Sequence, residues 1–191
     1  LNTADKEHQS PVIQATRVGR VEMVDTLLQL GADDTLRCRD LADGMTALMI
    51  AVGQNSNNIA KLLCNNQTSV NLQDSRGMTA LMYAAQECNS LLVKMLLSSG
   101  AKVNLQDNRG RTALHCAAMD ALDKFRNEQL NVLDELFKHG ADIFMEDNGG
   151  RTAVHYAALD CPGNAEARQH EILDKLLSAD KEYRQLLDTT D

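Results

Sequence analysis

The sequence has no tryptophan and only three tyrosines and three phenylalanines in 191 residues, so its core must be built from Leu, Ala, Val, Ile and Met. Aliphatic cores of that kind usually belong to helices. No stretch approaches the ~18 consecutive apolar residues of a membrane span, and the polar opening Leu1–Ser10 has no apolar signal core. Membrane insertion is therefore not expected. Basic residues are in deficit: 19 Lys plus Arg against 27 Asp plus Glu leave a net charge of −8, the wrong sign for a surface that neutralises phosphates. Nucleic acid is thereby excluded as a direct ligand. The five cysteines (Cys38, Cys64, Cys88, Cys116, Cys161) are odd in number and form no CxxC pair, and no His cluster has metal spacing. They are expected to be free thiols in a reducing, intracellular compartment. With no basic run to direct nuclear import, cytoplasm is the first expectation and the nucleus stays open.

With 43% hydrophobic residues the chain should fold, and its organisation is repetitive. Thr46-Ala47-Leu48-Met49, Thr79-Ala80-Leu81-Met82, Thr112-Ala113-Leu114-His115 and Thr152-Ala153-Val154-His155 recur, with Ser10-Pro11-Val12-Ile13 as a degenerate first copy, at spacings of 36, 33, 33 and 40. Gly44, Gly77, Gly110 and Gly150 stand two residues before each Thr, and small pairs such as Ala84-Ala85, Ala117-Ala118 and Ala157-Ala158 follow. Thr after a Gly turn is a helix start, and the Ala pair leaves a face on which a neighbouring helix can approach closely. A second helix carries Val24, Leu27 and Leu28, then Ile59, Leu62 and Leu63, then Val93, Leu96 and Leu97, with Gly31, Gly100 and Gly140 placed to stop it. The stretches Val70–Asp74 and Val103–Asp107 lead through Ser75-Arg76-Gly77 and Asn108-Arg109-Gly110, turn chemistry suited to a hairpin-like loop. One such helix pair cannot bury its own apolar face, so the copies must stack.

The pattern D-x-x-G-x-T-A-L-x-x-A-A, with G-A-x-V-N about 20 residues after the Thr, resembles the ankyrin repeat. The resemblance implies an all-α ankyrin-repeat solenoid of stacked helix pairs with hairpin-like loops. A single domain over 1–191 is expected, with repeats near 5–40, 41–73, 74–106, 107–146 and 147–191. The start at Leu1 instead of Met suggests a segment cut from a longer protein.

Several departures are informative. Repeat two places Gln67 where the helix-ending Gly would stand and carries extra residues in the Cys38–Asp43 loop. The family's His, which by resemblance bonds the Thr hydroxyl and neighbouring loops, survives as His115 and His155. Met49 and Met82 replace it, so the first half is expected to be softer. Repeats four and five are each longer by seven residues between their two helices. In repeat four Leu122, Phe125, Gln129, Val132 and Leu136 suggest a lengthened second helix, its rhythm broken at Gln129. In repeat five Cys161-Pro162-Gly163-Asn164 reads as a turn before a helix from Ala165 to Leu177. The tail Asp180–Leu187 reads as a short covering helix with Tyr183, Leu186 and Leu187 on one face.

No constellation for catalysis is present. His8, His115, His139, His155 and His170 lack a paired nucleophile, Gly149-Gly150 lacks the strand and lysine of a phosphate loop, and the acidic residues are scattered. A non-enzyme without cofactor or metal is expected.

The resemblance implies a concave face of hairpin tips and first helices that binds a protein or peptide. It nominates Ser75, Arg76, Met78, Tyr83, Gln86 and Glu87 from repeat three, and Asn108, Arg109, Arg111, Cys116, Met119 and Asp120 from repeat four. From repeat five it nominates Asn148, Arg151, Tyr156, Leu159 and Asp160. Tyr83 and Tyr156 share one repeat position and suit interface anchors. Arg76, Arg109, Arg111 and Arg151 either present positive charge to an acidic or phosphorylated peptide, or pair with Asp107 and Asp147. The long helices of repeats four and five offer a second edge.

The resemblance also marks Asn71 and Asn104 as candidates for asparaginyl hydroxylation, against the alternative that each side chain bonds its own turn. A mass increase of one oxygen on either peptide would report the modification. The expected whole is an interaction scaffold, monomeric on its own, with a module regulating other domains of a larger protein in cis as the alternative.

Overall fold

The computed structural model describes residues 10–33, 44–65, 70–119, 126–158 and 171–179. Every regular element among them is a helix: α1 (Pro11–Arg17), α2 (Val21–Gln29), α3 (Ala47–Gly53), α4 (Asn57–Asn65), α5 (Ala80–Gln86), α6 (Ser90–Ser98), α7 (Ala113–Ala118), α8 (Arg126–Lys138), α9 (Ala153–Ala157) and α10 (171–179). Odd-numbered helices pack on one another in sequence, α1 on α3 and so on to α9, and α2, α4, α6 and α8 form a second row behind them. Each odd helix also packs on the even helix that follows it, from α1 on α2 to α7 on α8.

The short first helices start at Ser10, Thr46, Thr79, Thr112 and Thr152, as the repeat predicts. Thr46 and Thr79 accept the amides of Met49 and Met82 at 3.3 Å each, satisfying an otherwise orphaned donor. In α7 and α9 a histidine secures the start of the helix, with Nδ1 of His115 and of His155 accepting the Thr112 and Thr152 amides at 3.1 Å. Ala84, Ala85, Ala117 and Ala118 are buried between rows, and without side-chain bulk they allow α5 and α7 to approach closely.

The second helices bury Val24, Leu27 and Leu28, Ile59 and Leu63, and Val93, Leu96 and Leu97, with Leu62 half-buried. Gly31, Gly100 and Gly140 close α2, α6 and α8 at φ +80°, +88° and +80°. The lengthening predicted for repeat four is real: α8 has 13 residues where α2, α4 and α6 have 9.

Gln129, the apparent flaw in its rhythm, is fully buried. Its amide donates to the Ala117 and Met119 carbonyls at 2.8 and 2.9 Å, capping the end of α7. A polar residue stands at a core position because α7 ends there with unpaired carbonyls.

The last helix runs to residue 179, two beyond the predicted end at Leu177, with Ile172 and Leu176 in the core. Its predicted start at Ala165 and the Cys161–Asn164 turn lie outside the described residues. So do Cys38–Asp43, Gln67, Leu122, Phe125, the nominated Asp120, Leu159 and Asp160, and the tail Asp180–Leu187.

Candidate binding surface

Each hairpin is organised by a buried aspartate. Asp74 Oδ1 accepts the amides of Arg76 and Met78 at 2.9 and 2.8 Å, and Asp107 Oδ1 accepts those of Arg109 and Arg111 at 2.9 and 2.8 Å. Asp147 does the same for Gly149 and Arg151 at 2.8 and 2.9 Å. A short acceptor side chain at this place folds the turn around itself, which is why D-x-x-G recurs.

The second carboxylate oxygen reaches a side chain. Tyr83 donates its hydroxyl to Asp74 Oδ2 and Tyr156 donates to Asp147 Oδ2, both at 2.6 Å. Above each ring lies a guanidinium, Arg76 at 5.7 Å and Arg151 at 5.0 Å from the ring centre. Arg151 also pairs with Asp147 at 3.1 Å, and Arg76 lies 3.7 Å from Asp74.

Burial and the Asp74 carboxylate push the Tyr83 hydroxyl above its ordinary pKa, and burial and Asp147 do the same to Tyr156. Hydrogen bonds from Tyr156 and the Arg151 amide hold the Asp147 carboxyl well below the usual carboxylate range.

Repeat four has Cys116 at the tyrosine position, and its arginine folds inward. Arg111 binds Asp107 Oδ2 through Nε at 2.9 Å and a terminal nitrogen at 2.7 Å, with the Met78 and Met119 sulfurs each 3.9 Å away. Burial pushes the Cys116 thiol up to about 12, so at neutral pH it is a packing group.

The hairpins are also tied side to side. The Asn108 amide donates to Arg76 O at 3.0 Å and its side chain to Ser75 O at 2.8 Å. Asn148 repeats this on Arg109 O at 2.8 Å and Asn108 O at 3.0 Å.

A family model described as ankyrin repeats (3 copies) matches residues 13–107 and again 89–185. The chain belongs to the ankyrin-repeat family. A search of the curated proteins returns no match. Ankyrin repeats are generally protein–protein interaction modules and are typically non-enzymatic. No helix among the described residues is long and apolar enough to cross a membrane.

On the ankyrin hairpin face the nominated residues divide. Ser75, Arg76, Gln86, Glu87, Asn108, Arg109, Asn148 and Arg151 are exposed, and Tyr83, Arg111, Met119 and Tyr156 are half-buried. Met78 and Cys116 are buried and present nothing to a partner, a correction to their nomination: both belong to the packed interior, and the Met78 sulfur lies 3.9 Å from the inward-folded Arg111.

The arginine alternatives are also resolved for the pairs seen. Arg111 and Arg151 are bound to Asp107 and Asp147, so their charge is locally offset. Arg109 is exposed, and its guanidinium has no partner among the described residues.

Asn71 and Asn104 do not bond their own turns. Asn71 donates to Gly100 O at 3.1 Å and accepts the Lys102 amide at 2.7 Å; Asn104 does the same with Gly140 O at 3.0 Å and Asp142 N at 3.0 Å. Each thus staples its loop to the next, where the helix-ending Gly leaves carbonyls unpaired. Gln73 and Gln106 add a second staple, to Gln106 O at 2.8 Å and Glu146 O at 3.0 Å. In the sequence Asp107 and Asp147 stood out only as partners for the arginines, and Gln73 and Gln106 not at all, although their recurrence at the repeat spacing was the available signal.

His115 shows what the Met-bearing repeats lack. Its Nδ1 accepts the Thr112 amide, so the proton sits on Nε2, which donates to Arg151 O at 3.1 Å in the next repeat. Met49 and Met82 present only a sulfur to the Thr46 and Thr79 amides at 3.4 and 3.5 Å.

Burial lowers the His115 pKa, against opposing contributions from the Arg151 carbonyl and the Asp147 and Asp107 carboxylates. Below an ordinary value of about 6.5 the unfolded chain then binds more protons than the folded one. The His115 contribution is full above that pH and is lost as pH falls towards the folded pKa. The unfolding free energy from urea titration should therefore fall as pH drops below about 6.5, by no more than about 1.4 kcal/mol per pH unit for this one proton. His115→Met should flatten that part of the profile, and an unchanged slope in the variant would refute the assignment.

Proposed function

We propose that this protein is a non-enzymatic intracellular scaffold that holds a protein or peptide partner on the concave face of repeats three to five. The observation that supports this reading is the pair of clusters at Asp74–Tyr83–Arg76 and Asp147–Tyr156–Arg151. The Arg76 and Arg151 side chains are 55% and 50% exposed, yet each is held over a ring whose hydroxyl is bonded to a buried carboxylate. Exposed side chains that are already immobilised lose little rotamer entropy on binding, and Tyr and Arg are the side chains that most often anchor interfaces. Between them stands Arg109, the exposed cation best placed to meet an acidic or phosphorylated residue of the partner.

The test is capture of partners from a cell lysate by the natural protein and by a variant carrying Arg76→Ala, Arg109→Glu and Arg151→Ala. These changes leave the Asp74–Tyr83 and Asp147–Tyr156 bonds in place, and circular dichroism checks that the variant folds. Specific partners should be captured at least about tenfold less well by the variant. Equal capture would rule out this face and turn attention to the long helices of repeats four and five. Phosphatase treatment of the lysate then separates a phosphorylated partner from an acidic one.

A further inference from the structure

We propose that Asn148-Gly149 is a site of spontaneous deamidation, and that its conversion to isoaspartate, admitted only when the hairpin opens, permanently unties repeat five from repeat four. This concerns the chemistry of the turn and stands apart from what the concave face binds.

Asn-Gly occurs once in the chain. Glycine leaves its own amide unshielded, so its nitrogen can reach the carboxamide carbon of the residue before it. In the reaction the Gly149 nitrogen forms a bond to Asn148 Cγ, the Cγ–Nδ2 bond breaks and ammonia leaves, the Gly149 proton passing through water to the leaving nitrogen. Water then opens the five-membered imide at one of its two carbonyls. Opening at Cγ gives aspartate, and opening at the main-chain carbonyl gives isoaspartate, in which the backbone runs through the side chain.

The fold holds both reacting groups elsewhere. The Asn148 carboxamide donates through Nδ2 to Asn108 O at 3.0 Å, and its Oδ1 lies so close to Gly110 that a Cβ there would stand 2.7 Å away. The Gly149 amide is bonded to Asp147 Oδ1 at 2.8 Å. Attack therefore requires the side chain to leave repeat four and the amide to leave the buried carboxylate, a local opening with a free-energy cost of its own. Asn108 is the internal comparison. It is tied in the same way, to Ser75 O and Arg76 O, but is followed by Arg109, whose side chain shields the amide.

The product cannot close the hairpin again. A carboxylate at position 148 has no donor for Asn108 O and sets a negative oxygen against it. Isoaspartate also adds a methylene to the backbone between positions 148 and 149, where the Gly149 and Arg151 amides must both reach Asp147 Oδ1, at 2.8 and 2.9 Å. The same carboxylate holds Tyr156 and Arg151, so the loosening extends to the cluster of the fifth repeat.

The test is incubation of the folded protein in warm, mildly alkaline buffer, followed by peptide mass spectrometry, with isoaspartyl methyltransferase to tell isoaspartate from aspartate. The peptide carrying residue 148 should gain the acid, mainly as isoaspartate, while the peptide carrying Asn108 keeps its amide. Conversion should be at least about tenfold slower than in a free peptide of residues 144–152, which measures the cost of opening. Gly149→Arg recreates the turn of repeat four at a residue outside the left-handed region, where a Cβ meets nothing nearer than 3.2 Å, and should abolish conversion with the fold intact. The converted fraction, separated by its extra charge, should unfold at a lower urea concentration than fresh protein. No acid at position 148 after about a hundred half-lives of the free peptide overturns the inference. Conversion as fast as in the peptide overturns the gating by the hairpin, and an unchanged urea midpoint in the converted fraction overturns the untying.

Discussion

Replacing Gly110 with alanine should destabilise the protein by about 3 kcal/mol or more, among the largest single-residue effects in the chain. Two costs add. Gly110 sits at φ +78°, where an L side chain is strained by about 1–2 kcal/mol. The new Cβ would also stand 2.7 Å from the Asn148 backbone nitrogen and 3.0 Å from the Asp147 carbonyl carbon. Neither can yield cheaply, because the Asn148 amide is bonded to Arg109 O and Asp147 organises the next turn. Gly77 is in the same position against Asn108, at 2.6 Å, and its alanine variant should behave alike. Gly140→Ala is the control: φ is +80° but a Cβ there meets nothing within 4 Å, so only the conformational cost remains. Urea titration of the variants measures both costs, and equal losses at Gly110 and Gly140 would show that hairpin proximity contributes nothing.

Asp107→Ala should cost about 3 kcal/mol for a different reason. The carboxylate is buried and accepts three hydrogen bonds, from the amides of Arg109 and Arg111 and from Nε of Arg111, whose terminal nitrogen completes the ion pair at 2.7 Å. Removing it orphans backbone donors inside the turn and leaves the Arg111 charge, 17% exposed, beside sulfurs and buried apolar atoms. Breaking a buried pair by deleting one partner is far more damaging than never having made it. Asp107→Asn keeps an oxygen for the two amides but sets an NH2 group against Arg111 in place of the second carboxylate oxygen, so it should cost less than alanine because the turn keeps its central acceptor. A loss under about 1 kcal/mol for the alanine variant, measured by urea unfolding, would show that the turn forms without its central acceptor.

The Gly110 prediction concerns contacts between consecutive hairpins, the part of the molecule that was least legible in the sequence. The helices were readable because the repeat places one chemical requirement at one position each time: a hydroxyl where α3 and α5 begin, alanine where α5 meets α7, glycine at positive φ where α6 and α8 end. Gln129 shows the limit. It looked like a fault in an apolar stripe, because a hydrophobicity pattern does not register that the carbonyls of Ala117 and Met119 need a donor there. Asn71 and Asn104 stood out as special, yet the reading that each bonds its own turn fails. A side chain of that length reaches its own loop or the next one equally well, and only stacking brings Gly100 and Gly140 within reach.

The candidate surface divides in the same way. Repeat position alone singled out Tyr83 and Tyr156, and it placed Arg76, Arg109, Arg111 and Arg151 at the hairpins. Whether those arginines carry free charge depends on distances shorter than a side chain. Arg111 turns inward because repeat four has Cys116 where repeats three and five have a tyrosine, leaving room for the guanidinium over Met78 and Met119. Arg151, at the same repeat position, stays out because the Tyr156 ring fills that space.

By itself the sequence determined the helix pairs and their stacking, since each follows from short-range periodicity and from apolar faces that one pair cannot bury alone. The tertiary structure alone decided which polar groups meet: the Asn and Gln staples, the reach of His115 to Arg151 and the inward turn of Arg111. Those partners stand 29 to 40 residues apart in the chain. No local pattern encodes such separations, whereas hydrogen bonding depends on them steeply.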